Sequence, residues 1–282
     1  MAHSSDWFEI EEIGDGCLQI TEGRPVLPCN MLLVRDGGEG VLVDTGLGIA
    51  GLEELVRELA GPTVRVLLTH SHWDHIGGAN QFDDVAIHDR ERGADGSVAI
   101  DTLSEEFLDR PGQFMQEFRA SDGALPAGFD PEVYEIGPVE GVDQLVAGQT
   151  ISVGERTLEL VSVPGHSPGQ LAVLDRHAGV CHAADVLEPG GAIFAQFRDA
   201  ELEAYRETIA RLIALRDAGA YDTMTTGHGD PLRGAELGVL DDVAVALRRV
   251  LEGAAKYELV EGHWGTIRQY TVGGVEVLRP NA

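Results

Sequence analysis

Lysine is almost absent from this 282-residue chain, Lys256 being the only one among 20 basic residues set against 48 acidic ones. The resulting formal charge of -28 leaves no clustered Lys/Arg patch to release counterions from a phosphate backbone, which argues against nucleic acid as a partner. Self-repulsion on this scale weakens a compact state in dilute buffer. At about 1 M salt the Debye length falls to roughly 3 Å and surface charges barely meet. The composition therefore fits a salt-rich cytoplasm, the alternative being an acidic surface kept for solubility. Cysteine is scarce too. Cys17, Cys29 and Cys181 are not paired at short spacing, which fits reduced thiols and neither a disulfide frame nor a cysteine-rich structural zinc site. No apolar run approaches the ~18 residues needed to span a bilayer, and Met1 to Asp6 has no basic region leading into an apolar one. The expectation is a cytoplasmic protein with no membrane segment, acting on a small molecule. Without a Pro/Ser-rich linker, residues 1–282 are expected to form a single domain.

What the chain does have is a dense metal-ligand motif. Val64 to Leu68 reads as a buried strand, and Thr69-His70-Ser71-His72-Trp73-Asp74-His75 follows it directly. Imidazole and carboxylate suit zinc and related divalent metals, and His-x-His can face one metal while Asp-His faces another. Trp73 carries no ligating atom, so packing is its expected role. Groups of the same kind end four other apolar runs. Val41-Leu42-Val43 leads to Asp44, Leu158 to Val163 leads through Pro164-Gly165 to His166, Val180 to Ala184 delivers Asp185, and Thr223 to Thr226 precedes His228. In layered α/β proteins ligands collect beyond the carboxyl ends of strands, so five strand ends would converge.

His-x-His-x-Asp-His followed by His166, Asp185 and His228, with Asp-Thr-Gly at Asp44 to Gly46, resembles the metallo-β-lactamase superfamily over about residues 8 to 235. The resemblance implies a four-layer αββα sandwich with a metal cleft at one edge. It places His70, His72 and His166 on a first metal, Asp74, His75 and His228 on a second, and Asp185 between them. Two divalent ions are implied, zinc before iron or manganese. At about 3.5 to 4 Å apart, such ions share a water and lower its pKa towards ~7, giving a bridging hydroxide. Asp74 would handle its proton, and Asp44 would orient a motif imidazole. Two positions depart from the superfamily pattern: Ala184 stands where Gly is common before the bridging aspartate, and Thr226 where Pro is common before Gly-His. Both bear on local geometry and leave the ligands intact.

Asp185, in a place where zinc β-lactamases usually have cysteine, argues against antibiotic hydrolysis. Pro164-Gly165-His166-Ser167-Pro168-Gly169 is more similar to the glyoxalase II, lactonase and acyl-coenzyme A thioesterase branches, implying hydrolysis of a thioester or ester/lactone. The rivals are a mononuclear iron persulfide dioxygenase using His70, His166 and Asp185, and a phosphodiesterase or nuclease.

Along the chain, residues 8 to 45 read as a β-meander, Leu52 to Leu59 as an amphipathic helix ended by Gly61-Pro62, and Val85 to His88 as a strand. His88 resembles a histidine often seen there in the superfamily, with a packed or surface role preferred. His182 is expected to face the sheet or solvent. Residues 89–148 are irregular and are read as an insertion with short helices near Phe107 and Phe114 to Phe118, either shaping the pocket or forming a solvated loop. Thr150 to Val161 and Leu171 to Ala184 read as hairpins, and Ala200 to Ala218 as a helix. Within 236–282, a helix from Leu240 to Tyr257 precedes a β-hairpin at Thr266 to Leu278. Three roles are open to this tail: covering a sheet edge, joining two copies in a homodimer, or narrowing the pocket.

Overall fold

Successive residues of a strand face opposite sides of its sheet, and in the central strands of this chain both sides are buried. The computed structural model describes residues 7–23, 26–263 and 265–281; the N-terminal stretch read for targeting lies outside them. The first sheet follows chain order: β1 (Glu9–Gly14), β2 (Cys17–Glu22), β3 (Cys29–Asp36), β4 (Glu39–Val43), β5 (Thr63–Leu68), β6 (Val85–His88) and β7 (Asp143–Leu145). Pairing is antiparallel as far as β4 and parallel from there to β7. Parallel neighbours need crossovers, supplied by α1 (Leu52–Ala60) between β4 and β5, and by a segment holding α2 (Trp73–Ile76) between β5 and β6. A longer crossover carrying α3 (Arg110–Arg119) joins β6 to β7.

The second half repeats the scheme. β8 (Thr150–Val153), β9 (Arg156–Ser162), β10 (Leu171–Asp175) and β11 (Val180–His182) run antiparallel. After β12 (Ile193–Phe194) and α4 (Leu202–Asp217), β13 (Thr223–Thr225) returns parallel to β11, and β14 (Leu232–Arg233) closes the edge. Then α5 (Val239–Leu251) precedes β15 (Tyr257–Gly262), β16 (Gly265–Val272) and β17 (Val275–Pro280), which with β12 make a third sheet.

Alternation sorts the core into layers. Leu32, Val34, Val41, Val43 and Leu67 of the first sheet meet Leu158, Leu160, Leu171 and Val173 of the second. Their neighbours Leu33, Leu42, Val66 and Leu68 turn outwards to α1 and to Phe114 and Phe118 of α3. On the far side, Ala172, Leu174, Cys181 and Met224 pack under Tyr205, Ile209 and Leu212 of α4 and Leu240, Val243 and Leu247 of α5. The result is an α/β fold, an αββα sandwich of two facing sheets between helical layers.

Two local readings change. The last helix stops at Leu251, with Gly253 in the left-handed region (φ 68), and Tyr257 begins a strand; the tail is a helix plus three strands, the first of them Tyr257–Gly262. Residues 89–148 are not a solvated loop: Val98, Phe114 and Phe118 are fully buried, and Asp143–Leu145 forms the sheet's edge. The short helix expected near Phe114 to Phe118 runs from Arg110 to Arg119, with Pro111 in its first turn, where its missing N–H costs nothing.

Candidate metal centre

Each candidate ligand stands just past a strand. Thr69 and His70 end the β5 run, and α2 turns immediately so that His72, Asp74 and His75 fold back towards the same point. His166 follows β9 through Pro164-Gly165. Gly165 is required there: at φ 143 a Cβ would lie 2.6 Å from the Tyr205 ring. Asp185 follows β11 in a 3-10 turn, and His228 follows β13. His70, His72, His166 and Asp185 bring one donor atom each within 4.8 Å of one another, and so do His75, Asp185 and His228. Asp185 belongs to both groups.

The separations are short. His166 Nε2 lies 2.9 Å from His72 Nδ1 and 3.4 Å from Asp185 Oδ2, and His70 Nε2 is 3.9 Å from the same oxygen. On the other side, Asp185 Oδ1 is 3.2 Å from His75 Nε2. His228 Nε2 lies 3.5 Å from Asp185 Oδ2 and 3.4 Å from Asp74 Oδ2. The opposite ring nitrogens are held: His75 Nδ1 by Asp44 Oδ2 at 2.8 Å, His166 Nδ1 by the Phe194 carbonyl at 3.1 Å, and His228 Nδ1 by the Pro28 carbonyl at 2.7 Å. Such outer contacts fix ring orientation and tautomer. His70 Nε2, His75 Nε2 and Asp185 Oδ1 are buried and make no hydrogen bond. Buried polar atoms are normally satisfied, so these three atoms, facing one another among imidazole and carboxylate donors, fit divalent metal.

A family model described as the Metallo-beta-lactamase superfamily matches residues 24–228. The chain belongs to the metallo-β-lactamase superfamily. "Acyl-coenzyme A thioesterase MBLAC2" of Bos taurus is 30% identical over 245 residues, covering 79% of this chain and 81% of that protein. The Gallus gallus protein of the same name is 29% identical over 238 residues with the same coverage. Among solved structures, "Metallo-beta-lactamase from Pontibacter korlensis" superposes with a TM-score of 0.55 at 17% identity, covering 86% of this chain and 99% of that one, a likeness of fold.

Electrostatics divides the histidines of this superfamily site. Burial pushes His70 and His72 well below the usual imidazole range and His166 down to about 4, so all three are neutral and ready to donate a lone pair. For His75, burial also works against the charged form, but the Asp185 and Asp44 carboxylates outweigh it and hold the pKa well above normal. His228 follows the same pattern, with Asp185 and Glu188 overcoming burial. Asp185, although buried, is held well below its usual value by His75 and His228. A positive charge is thus favoured where metal would sit.

Asp44 stands where the superfamily's Asp-Thr-Gly places it, at φ 63, fully buried. Besides His75 it accepts from the Thr69 amide at 2.7 Å and the Thr69 hydroxyl at 2.8 Å. Ala184 adopts φ 47, a left-handed conformation that explains the glycine common at this position and costs Ala about 1 kcal/mol. Thr226 replaces a ring constraint with a hydrogen bond from its hydroxyl to the His228 carbonyl. His88 stays out of both groups, its Nδ1 accepting from the Arg90 amide at 3.2 Å. His182 is buried in the sheet, 2.8 Å from the Thr225 hydroxyl and 3.6 Å from Asp44. Trp73 packs on Phe114, with the Arg110 guanidinium 5.4 Å above its ring.

A cleft of ≈ 140 Å³ opens over the centre. Phe107 and Phe197 lean on His72, with centroids 4.4 and 5.0 Å away, and Phe197 reaches His166 at 4.9 Å. Arg110 from α3 and His263 from the β15–β16 turn also line it, so both the 89–148 segment and the C-terminal sheet narrow the pocket. Sequence reading missed several residues here. Glu188 lines the cleft, and burial pushes its carboxyl up to about 8. Cys29 brings its sulfur within 4.8 Å of donor atoms of Asp74 and His228, and burial pushes its thiol up. Neither is in a motif; Pro28-Cys29 opening β3 gave no sign that it would meet His228, some 200 residues on.

Proposed function

We propose that this chain is a hydrolase of a thioester, or of a related ester or lactone, and that it works with two divalent ions, zinc before iron or manganese. The observation that carries the reading is the sharing of Asp185 between two donor groups whose facing atoms, His70 Nε2, His75 Nε2 and Asp185 Oδ1, make no hydrogen bond. The relatives named acyl-coenzyme A thioesterases support the substrate class. In this reading His70, His72 and His166 hold the first ion, Asp74, His75 and His228 the second, and Asp185 both. When bound, such ions lower the pKa of a shared water towards ~7 and polarise an acyl carbonyl.

The protein's own residues do the rest. Asp44 fixes the His75 ring so that Nε2 faces Asp185. Asp74, 3.4 Å from His228, accepts a proton from the attacking water, the role proposed for it as catalytic residue. Phe107 and Phe197 supply an apolar wall against which the substrate excludes solvent from the reacting carbonyl. A one-iron dioxygenase needs only His70, His166 and Asp185 and leaves the second donor group without a purpose. Metal analysis decides between them: about two zinc-like ions per chain with turnover of a thioester panel in high salt supports the hydrolase, and one iron with oxygen uptake sinks it.

A further inference from the structure

Four hydrogen-bond donors converge on one buried carboxylate outside both donor groups. Glu91, in the 3-10 turn after β6, has no exposed surface. Its Oε2 accepts from the Ser71 amide at 3.1 Å and the Ser71 hydroxyl at 3.0 Å. Its Oε1 accepts from the Gly169 amide at 2.5 Å and from the Ser167 hydroxyl. Ser71 stands between His70 and His72, while Ser167 and Gly169 follow His166. The carboxylate therefore ties together two loops, one from each large sheet, that deliver three of the four members of one donor group. Gly169 fits this approach, since a Cβ there would lie 2.7 Å from Glu91 Cγ. Each oxygen takes one backbone amide and one serine hydroxyl, so an amide in place of the carboxylate would turn its NH2 towards a backbone N–H that can only donate, leaving that N–H without an acceptor.

We propose that Glu91 is a positioning residue for the first metal position: it sets the spacing between the His70–His72 loop and the His166 loop, and so governs metal retention there without touching metal or substrate. This rests on the two-ion reading above. The test is to load wild type, Glu91→Gln, Glu91→Asp and Ser167→Ala with cobalt or zinc, confirm folding by circular dichroism, and titrate each with a chelator. Metal per chain and the visible cobalt spectrum are followed together. Glu91→Gln should release one ion at roughly ten- to a hundredfold lower chelator concentration while the other is retained as in wild type. Glu91→Asp and Ser167→Ala should shift the same ion less, so the result stands even if Glu91→Gln fails to fold. Unchanged release, or equal weakening of both ions, overturns the proposal. Should wild type bind a single ion, the two-ion reading fails separately; weaker holding of that ion by the variants would still support the role of Glu91, and unchanged holding would overturn it.

Discussion

Asp185 is faced by His75 Nε2 at 3.2 Å and by His166 and His228 Nε2 at 3.4 and 3.5 Å, so one carboxylate balances several imidazoles. Asp185→Asn keeps the volume and removes the charge; metal analysis should show loss of at least one ion, with affinity falling by more than the roughly 10–100-fold typical of outer contacts. On the proposed function, His72→Ala should abolish thioester turnover while circular dichroism stays unchanged, because the imidazole removed lines the cleft and belongs to none of the apolar core clusters. Glu22 presents a different case. Burial pushes its carboxyl up to about 7, against hydrogen bonds from Trp7 and from the Leu47 and Gly48 amides that favour the ionised form. Below the unfolded value near 4.5 both states hold the proton; between there and about 7 only the folded state does, so its contribution to stability is lost as pH rises. Relative to Glu22→Gln, wild type should lose about 3 kcal/mol across that window in urea unfolding, with flat difference on either side. A pH-independent difference would refute this.

At the scale of elements, α3 shows why the segment after β6 resisted reading. Its helix is short, Pro111 opens it, and its buried face of Phe114, Met115 and Phe118 packs on the outer side of the first sheet, a surface no local pattern announces. Phe114→Ala should cost about 3–5 kcal/mol in denaturant unfolding. A cost near zero would mean that α3 is not part of the core. The β5–α2 unit is the opposite case: the buried strand and the candidate donors that follow it were legible in a run of consecutive residues, although the one-turn helix Trp73–Ile76 that folds the donors back was not. The C-terminal strand Tyr257–Gly262 was lost because Tyr257 and Leu259 are exposed on a sheet edge, so alternation there does not track burial.

For the whole molecule, charge is the property that sets conditions. A net -28 with a single lysine repels itself in dilute buffer. Calorimetry should find a melting temperature that rises between about 0.1 M and 1 M potassium chloride, where the Debye length shortens from about 10 to 3 Å. A melting temperature indifferent to salt would favour the solubility alternative. Among the described residues no helix is long and apolar enough to cross a membrane.

The sequence by itself determined the donor types, their order and the strand ends that carry them, because strand periodicity and motif spacing are local properties of the chain. Tertiary structure decided which histidine nitrogens face Asp185, that Cys29 and Glu188 join the site, and that Glu91 ties together the Ser71 and Ser167 loops. Those contacts join residues far apart in the chain, and only packing of the two sheets brings them within hydrogen-bonding distance.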